Sequence, residues 1–194
     1  MGEKSLQKKQ HILTCAKKVF EEKGFKNVTM KDIVEACEIS RGGLYLYFES
    51  TKEIFVEVLK LESQETDNMF EEALTEEPTA ADILALFLKE QKREILSKKG
   101  LTMAIYEFYF AEKPPKKENF LRNQFNDAVR VIEKLIEEAN ASGEFLCDDP
   151  LGAARNIMYV LEGLKISAQT IGVSEATINQ EILYIMKGLV ADSE

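Results

Sequence analysis

The 194-residue sequence has little of what metal sites, disulfide frameworks and membrane spans require. It contains one histidine, His11, and three cysteines, Cys15, Cys37 and Cys147, which match no metal-ligand spacing. An odd number of scattered cysteines argues against a disulfide framework and favours a reducing cytoplasm. There is no run of about 18 apolar residues, so we expect no membrane span. Residues 1–10 lack the apolar core of a secretion signal.

The scarcity of histidine also weakens the hypothesis of an enzyme. No set of nucleophile, base and metal ligands can be assembled, because the one histidine lies in the first predicted helix. We therefore expect neither catalysis nor a metal ion or other cofactor. A redox role for one cysteine is a minor alternative to the simpler interpretation that the cysteines are small apolar core residues.

Proline and glycine are also scarce, at four and ten residues, which favours helices. Helix-spaced apolar residues and capping residues predict an all-α fold of about nine helices. No segment shows the alternation of a half-buried strand. The predicted helices lie at about 5–23, 29–36, 41–48, 52–74, 80–97, 101–111, 117–140, 150–170 and 174–190.

Charge is distributed unevenly along the chain, whose net charge is −9. Residues 1–50 carry nine basic and seven acidic side chains, a net charge of +2, and the remaining 144 residues carry a net charge of −11. A DNA-binding module needs a local basic face and not a basic whole. The acidic remainder would direct DNA toward the N-terminal region.

The segment from Thr29 to Phe48 carries the most specific pattern. A helix of about nine residues, a turn of three residues and a second short helix are typical of a helix-turn-helix. In that motif the second helix enters the major groove and its first residues meet base edges. Asp32 follows Thr29 at the spacing of a capping box, and Ser40 is the predicted cap of the second helix.

Residue choices in the second helix suit contact with DNA. Arg41 can bind a phosphate or a guanine. Gly42 and Gly43 are poor helix formers, which indicates a close approach of the backbone to another molecule. The alternation of side chains places Leu44 and Phe48 inward as anchors and leaves Tyr45 and Tyr47 for DNA. Lys52, at the start of the next helix, can hold a phosphate. On the supporting helix, Lys31 is as readily a solvated side chain as a phosphate contact.

This ordered pattern resembles the TetR family of transcription regulators over about residues 10–55. The residues that carry the resemblance are Ile12, Leu13, Ala16, Val19, Phe20, Gly24, Phe25, Thr29, Asp32, Ile33, Val34, Ala36, Ile39–Tyr45, Tyr47, Phe48 and Lys52–Phe55. The resemblance implies a homodimer with three DNA-binding helices per subunit. It also implies a variable C-terminal ligand domain and dimerisation through the last two helices.

The resemblance further implies which residues bind DNA and how the chain is divided. The matching positions are Thr29, Ser40, Arg41, Gly42, Tyr45, Tyr47 and Lys52, and Gly43 joins them through the backbone argument. We expect a DNA-binding domain at residues 1–52 and a ligand-binding and dimerisation domain at 53–194. Two departures stand out, because Glu38 occupies a turn position that usually carries glycine and the link from residue 48 to 52 is one residue longer.

A ligand pocket is expected in the C-terminal region, where aromatic side chains are frequent. Its candidate residues are Phe87, Met103, Tyr106, Glu107, Phe110, Phe125, Met158 and Glu162. The two glutamates could meet a cationic ligand, and the tyrosine could hydrogen-bond one. The alternative interpretation is a packed core with exposed glutamates.

Apolar stripes on the last two helices, at about 150–170 and 175–190, predict the dimer interface. They comprise Leu151, Ala154, Met158, Leu161, Ala168, Ile178, Ile182, Ile185, Met186 and Leu189. Burial within one subunit is the alternative. The sequence therefore predicts a cytoplasmic repressor that leaves a near-palindromic operator when it binds a small apolar or amphipathic ligand. A protein partner in place of that ligand is the second hypothesis.

Overall fold

The chain forms helices throughout the parts that the structure describes. The structure is a computed structural model and describes residues 2–73, 78–97, 100–116 and 119–190, apart from the side chains of residues 65–73. Within these ranges every regular element is helical, which confirms the predicted all-α class. The described helices are α1 (Glu3–Lys23), α2 (Met30–Cys37), α3 (Arg41–Tyr45), α4 (Thr51–Ala73), α5 (Ala80–Leu96), α6 (Thr102–Glu112), α7 (Phe120–Ser142), α8 (Pro150–Thr170) and α9 (Glu175–Lys187).

Helices α2 and α9 begin directly after the capping residues that the sequence predicted for them. The Thr29 hydroxyl accepts the Asp32 N–H at 3.3 Å, and the Asp32 carboxylate accepts the Thr29 N–H at 2.8 Å. At the start of α9 the Ser174 hydroxyl accepts the Thr177 N–H at 3.1 Å. Each such cap stabilises its helix by about 0.5–2 kcal/mol, so the helix boundaries follow from local chemistry.

Helix α3 is shorter than the segment predicted to extend to residue 48. After Tyr45 the chain tightens into turns, in which the N–H groups of Tyr47 and Phe48 both bind the Leu44 carbonyl, at 3.0 and 3.1 Å. This tightening turns the Phe48 ring into the interior, where it is buried. The predicted start of α7 near residue 117 lies outside the described residues.

Packing divides the chain into two compact units. The first unit holds α1 to α4 and α6, and the second holds α5 and α7 to α9. The sequence placed α6 with the C-terminal domain, but α6 packs on α1. The predicted division between a DNA-binding domain at 1–52 and a ligand-binding and dimerisation domain at 53–194 concerns function and not packing. It stays a prediction.

Each unit has its own apolar core. In the first unit Phe20, Phe25, Phe55 and Phe108 form an aromatic core, with ring centroids 4.7 Å apart for Phe20 and Phe55 and 4.9 Å apart for Phe25 and Phe108. These pairs adopt the edge-to-face arrangement that aromatic rings favour. The core of the second unit is mainly aliphatic and includes Leu84, Leu88, Ile132, Ile136, Ala154, Ile157, Leu161 and Ile178.

The described ranges were also searched for membrane spans and metal sites. None of the helices described there has the length and apolar character that a bilayer span requires. Within the same residues no group of three or more His, Cys, Asp or Glu side chains is arranged to hold a metal ion.

Candidate nucleic-acid interface

The turn between α2 and α3 depends on one unusual backbone conformation. Glu38, which follows the last residue of α2, has φ 54° and ψ 38°, in the left-handed region. The sequence predicted this conformation, because related turns usually carry glycine here. A left-handed residue with a side chain costs about 1–2 kcal/mol. This position allows the chain to reverse within three residues and to begin α3 at Ser40.

The start of α3 is organised by Ser40 and two glycines. The Ser40 hydroxyl accepts the Gly43 N–H at 3.1 Å. A Cβ atom at Gly43 would lie 3.0 Å from the Ser40 hydroxyl oxygen, so glycine keeps room for this cap. A Cβ atom at Gly42 would meet nothing within 4 Å, so the backbone there is open to an approaching molecule.

One face of α3 is anchored and the other is exposed. Leu44 and Phe48 are buried, which confirms their predicted role as anchors. On the other face Arg41 is exposed and Tyr45 is 42% exposed. The Arg41 guanidinium lies 5.7 Å from the centroid of the Tyr45 ring. Such a cation–π contact restricts a long side chain and holds its donors near one position.

Two further predicted DNA contacts already have neighbours in the first unit. Tyr47 is half-buried, and its phenol oxygen lies 3.5 Å from the Ser5 hydroxyl, which donates to it. The Lys52 ammonium lies 2.8 Å from the Glu112 carboxylate of α6. Because both lysine and glutamate are partly exposed, the pair is weak in water and a phosphate can compete for the ammonium.

Thr29 begins α2 within a small charged network. Its hydroxyl donates to the Asp32 carboxylate at 2.6 Å, and the Lys23 ammonium binds the same carboxylate at 2.6 Å. The hydrogen bonds from Lys23 and Thr29 hold the pKa of Asp32 well below its usual range, and the bond to Asp32 raises the pKa of Lys23. Asp32 is therefore ionised at neutral pH, and its charge is balanced beside Thr29.

One exposed residue of this surface was not predicted. Leu46 follows α3 directly and is 82% exposed. The sequence pattern assigned Leu46 no role, since it named only Leu44 and Phe48 as inward anchors. The turn that ends α3 after Tyr45 breaks the helical spacing and directs Leu46 outward.

The eight predicted DNA contacts lie on a short stretch of the first unit. They are Thr29 before α2, Ser40, Arg41, Gly42, Gly43 and Tyr45 on α3 or its cap, Tyr47 after α3, and Lys52 in the first turn of α4. Their contact with DNA stays a prediction.

The predicted ligand residues are divided between the two units. Met103, Tyr106, Glu107 and Phe110 lie on α6 in the first unit, and Phe87, Phe125, Met158 and Glu162 lie in the second. Their role in ligand binding stays a prediction.

Several of these residues have contacts that favour the alternative of structural roles. Glu107 accepts the Lys26 backbone N–H at 3.0 Å and so ties α6 to the loop after α1. Phe110 is exposed, and Met158 is buried in the aliphatic core of the second unit. Glu162 lies 3.9 Å from the ammonium of Lys165.

Six of the ten apolar residues predicted to form the dimer interface are buried inside the subunit, so the prediction was wrong for these six. Ala154, Leu161 and Ile178 are fully buried, and Met158, Ile185 and Leu189 are nearly so, all in the core of the second unit. These side chains pack on neighbouring helices of their own unit and cannot also meet a second chain. The alternative that the sequence left open, burial within one subunit, holds for these six residues. Leu151, Ala168, Ile182 and Met186 are only partly buried, and their part in an interface stays a prediction.

Helices α8 and α9 also carry exposed apolar side chains, which are Tyr159, Ile166, Leu183 and Tyr184. Of these, Tyr184 lines a groove between the two helices. Two adjoining grooves of about 420 and 350 Å³ run between the two helices and share Val160 and Glu181 as lining residues. Small residues line them, among them Gly152, Ala153, Gly163, Ser167 and Gly188, which leaves room for another helix. We name this surface the α8–α9 groove.

Comparisons with known proteins give matches over two parts of the chain. Residues 12–58 match the family described as bacterial regulatory proteins, tetR family. Residues 83–179 match the tetracyclin repressor-like C-terminal domain. The transcriptional regulator QacR of Staphylococcus aureus is 30% identical over 80% of this chain and 83% of its own. The uncharacterised regulator YfiR of Bacillus subtilis is 28% identical over 94% of this chain and 92% of its own.

The likeness to solved structures extends over nearly the whole chain. The regulator FadR of Bacillus subtilis superposes with a TM-score of 0.73 at 18% identity, covering 93% of this chain and 98% of its own. At that identity the likeness concerns the fold. Together with the two family matches and the relatives, it shows that this chain belongs to the tetR family of DNA-binding transcriptional regulators.

Proposed function

We propose that this regulator is a cytoplasmic, homodimeric repressor that binds a near-palindromic operator and leaves it when a small apolar or amphipathic ligand binds. The observation that carries the proposal is the exposed face of α3, with Arg41 stacked on Tyr45 beside the open backbone of Gly42. An arginine held in this way can make two hydrogen bonds to one guanine in the major groove. Two copies in a dimer would read half-sites one turn of DNA apart.

The α8–α9 groove supports dimerisation through residues of about 150–170 and 175–190. It is lined by small residues and by the exposed side chain of Tyr184, which a second copy of the same face would cover. A twofold interface places the same surface of both subunits in contact, and two pairs of helices then form a four-helix arrangement.

Control by a small ligand is supported by the match of residues 83–179 to a tetracyclin repressor-like domain. FadR, which has the same fold, was solved in complex with stearoyl-CoA. If a ligand releases this chain from DNA, the two must weaken each other's binding by the same factor. A candidate ligand that binds but leaves the operator affinity unchanged is not the inducer.

Control by a protein partner is the second candidate. It is favoured by the surroundings of two predicted ligand residues, since Met158 is buried in the aliphatic core of the second unit and Phe110 is exposed. A screen of small apolar and amphipathic compounds by thermal shift separates the two candidates. A compound that raises the unfolding temperature and releases DNA supports ligand control, whereas a protein that releases DNA when no compound does so supports the alternative.

Substitution of Arg41 tests the DNA-reading surface. On duplexes that the protein enriches from random-sequence DNA, Arg41→Ala should cost about 1–3 kcal/mol of binding free energy and relax selectivity at one base pair. Fluorescence anisotropy with the enriched duplex and with single-base variants measures both effects. Lys31→Ala, at an exposed position of α2, is the control and should not change selectivity. Equal affinity of Arg41→Ala and wild type for the enriched duplex contradicts the proposal.

A further inference from the structure

Two cysteines that are far apart in the sequence are neighbours in the first unit. Cys15 lies on α1, and Cys37 is the last residue of α2. His11 joins them, because its ring nitrogens lie 3.8 and 3.9 Å from the Cys15 sulfur and its Nε2 lies 3.3 Å from the Cys37 carbonyl oxygen. The Cys37 thiol itself donates to the Ile12 carbonyl oxygen at 3.9 Å, in the same stretch of α1 that carries His11 and Cys15. The pair therefore forms a small thiol cluster directly before the turn that leads to α3.

The two thiols have different surroundings. Cys15 is partly exposed and lies beside the His11 imidazole. Cys37 is only 3% exposed. Burial first, and then the neighbouring Cys15, raise the pKa of Cys37 to about 12, so this thiol stays protonated. Because Cys15 is the more exposed of the two, an oxidant from solution meets Cys15 first.

We propose that Cys15 and Cys37 are a modification site at which a hydroperoxide forms a reversible disulfide that weakens DNA binding. In the first step the Cys15 sulfur attacks the peroxide, the O–O bond breaks, and a sulfenic acid and an alcohol or water result. In the second step the Cys37 sulfur attacks the Cys15 sulfur, the S–O bond breaks, and water leaves with the thiol proton. The peroxide is reduced by two electrons, and the thiol pair is oxidised by two.

The disulfide would act on the helix-turn-helix through the end of α2. The Cys37 sulfur now lies 3.9 Å from the Ile12 carbonyl, to which its thiol donates. A disulfide joins the two sulfurs at about 2.05 Å and removes the thiol proton, so Cys37 loses this hydrogen bond. Glu38, in its left-handed conformation, and the cap of α3 follow Cys37 directly. The effect on DNA rests on the proposed function, but the formation of the disulfide does not.

The disulfide is tested on the folded full-length chain. The reduced protein is treated with hydrogen peroxide, its remaining thiols are alkylated, and tryptic peptides are analysed by mass spectrometry. Each cysteine lies in its own tryptic peptide, at 10–17, 32–41 and 135–155. We expect the number of free thiols to fall from three to one, a linked peptide pair 10–17 and 32–41 with the loss of two hydrogens, and reversal by dithiothreitol.

Several outcomes overturn the proposal. They are three unmodified thiols, a disulfide between chains, or oxidation confined to Cys147, which lies in the second unit.

Cys147→Ser is the matched control and should form the same linked peptide pair as wild type. Cys37→Ala should stop at the sulfenic acid of Cys15, which dimedone traps. The wild-type peptides decide the matter even if this variant folds poorly.

The effect on DNA is measured on a duplex that the reduced chain enriches from random-sequence DNA. We expect oxidised wild type and oxidised Cys147→Ser to bind this duplex at least about tenfold more weakly than the reduced forms, with full recovery after reduction. Cys15→Ser should not respond to peroxide. A linked peptide pair without a change in affinity overturns the regulatory claim. Failure of the reduced chain to enrich any duplex counts against the proposed function, and the peptide analysis is independent of it.

Discussion

The α3 surface of the first unit and the α8–α9 groove of the second are both exposed, but they are determined in different ways. The α3 surface is set by local chemistry: the cap at Ser40, the left-handed turn at Glu38 and the buried anchors beneath the helix. The α8–α9 groove is what remains on the outside after the apolar stripes of both helices are buried in their own unit. The α3 surface can therefore be predicted from residues that are close in the sequence. The α8–α9 groove cannot, because it depends on which face of each helix the packing leaves exposed.

The largest expected effect is on the dissociation constant of the dimer, and it concerns Gly163 in the α8–α9 groove. A Cβ atom there would meet nothing within 4 Å, and arginine is a better helix former than glycine, so Gly163→Arg should leave the subunit folded. A long charged side chain in the groove should raise the dissociation constant of the dimer about 100-fold, which is about 2.7 kcal/mol. Sedimentation velocity across a concentration series measures this constant.

The matched control for the groove is Val131→Arg. Val131 is an exposed apolar residue of α7 that does not line the α8–α9 groove. We expect it to leave the dissociation constant unchanged, because its side chain faces solvent in the proposed dimer. If Gly163→Arg sediments like wild type at every concentration, the dimer uses another surface.

A smaller effect, on the free energy of unfolding, is expected at two helices that begin with the same capping box, one in each unit. Thr29 with Asp32 and Thr79 with Asp82 form the same capping box at α2 and α5. Thr29→Ala and Thr79→Ala should each lower the free energy of unfolding by about 1 kcal/mol. Thr29→Ala alone should also weaken binding of the enriched duplex, because only that hydroxyl lies on the proposed DNA surface. Similar losses of affinity in both variants would mean that the cap acts through folding alone.

The smallest effect is expected at the left-handed turn. Glu38→Gly should raise the free energy of unfolding by about 0.5–1 kcal/mol, because glycine adopts positive φ without strain. Glu38→Gln keeps the strain and removes the charge, so its stability should stay within about 0.5 kcal/mol of wild type. Urea denaturation of the two variants separates conformation from charge. Equal stabilities for Gly and Gln would show that the turn is not strained at this residue.

The same contrast explains how much the sequence could predict. Caps such as Thr29 and Ser174 and anchors such as Leu44 and Phe48 depend on residues within one or two turns, so their spacing predicted them correctly. Met158 and Leu161 were predicted to contact a second subunit, but they pack in the core of their own unit. Helical spacing shows that a face is buried and does not show which helices cover it. The contact of Glu107 with the loop after α1 joins residues distant in the sequence, and no local pattern carries it.

The neighbouring positions of Cys15 and Cys37 could not be predicted for the same reason. Cys15 lies one helical turn from His11 on α1, but only the packing of α1 on α2 brings Cys37 to the same place. A count of cysteines along the chain therefore indicated scattered thiols, where the fold produces a pair.

Selection of duplexes from random-sequence DNA by the full-length, reduced chain tests the central claim most directly. The account predicts that the enriched sequences share two half-sites related by twofold symmetry, with centres about 34–36 Å apart along the duplex, one helical turn. Arg41→Ala should lose preference at one base pair in each half-site. Enrichment of a single asymmetric site, or of no sequence at all, would contradict a dimer that reads DNA through α3.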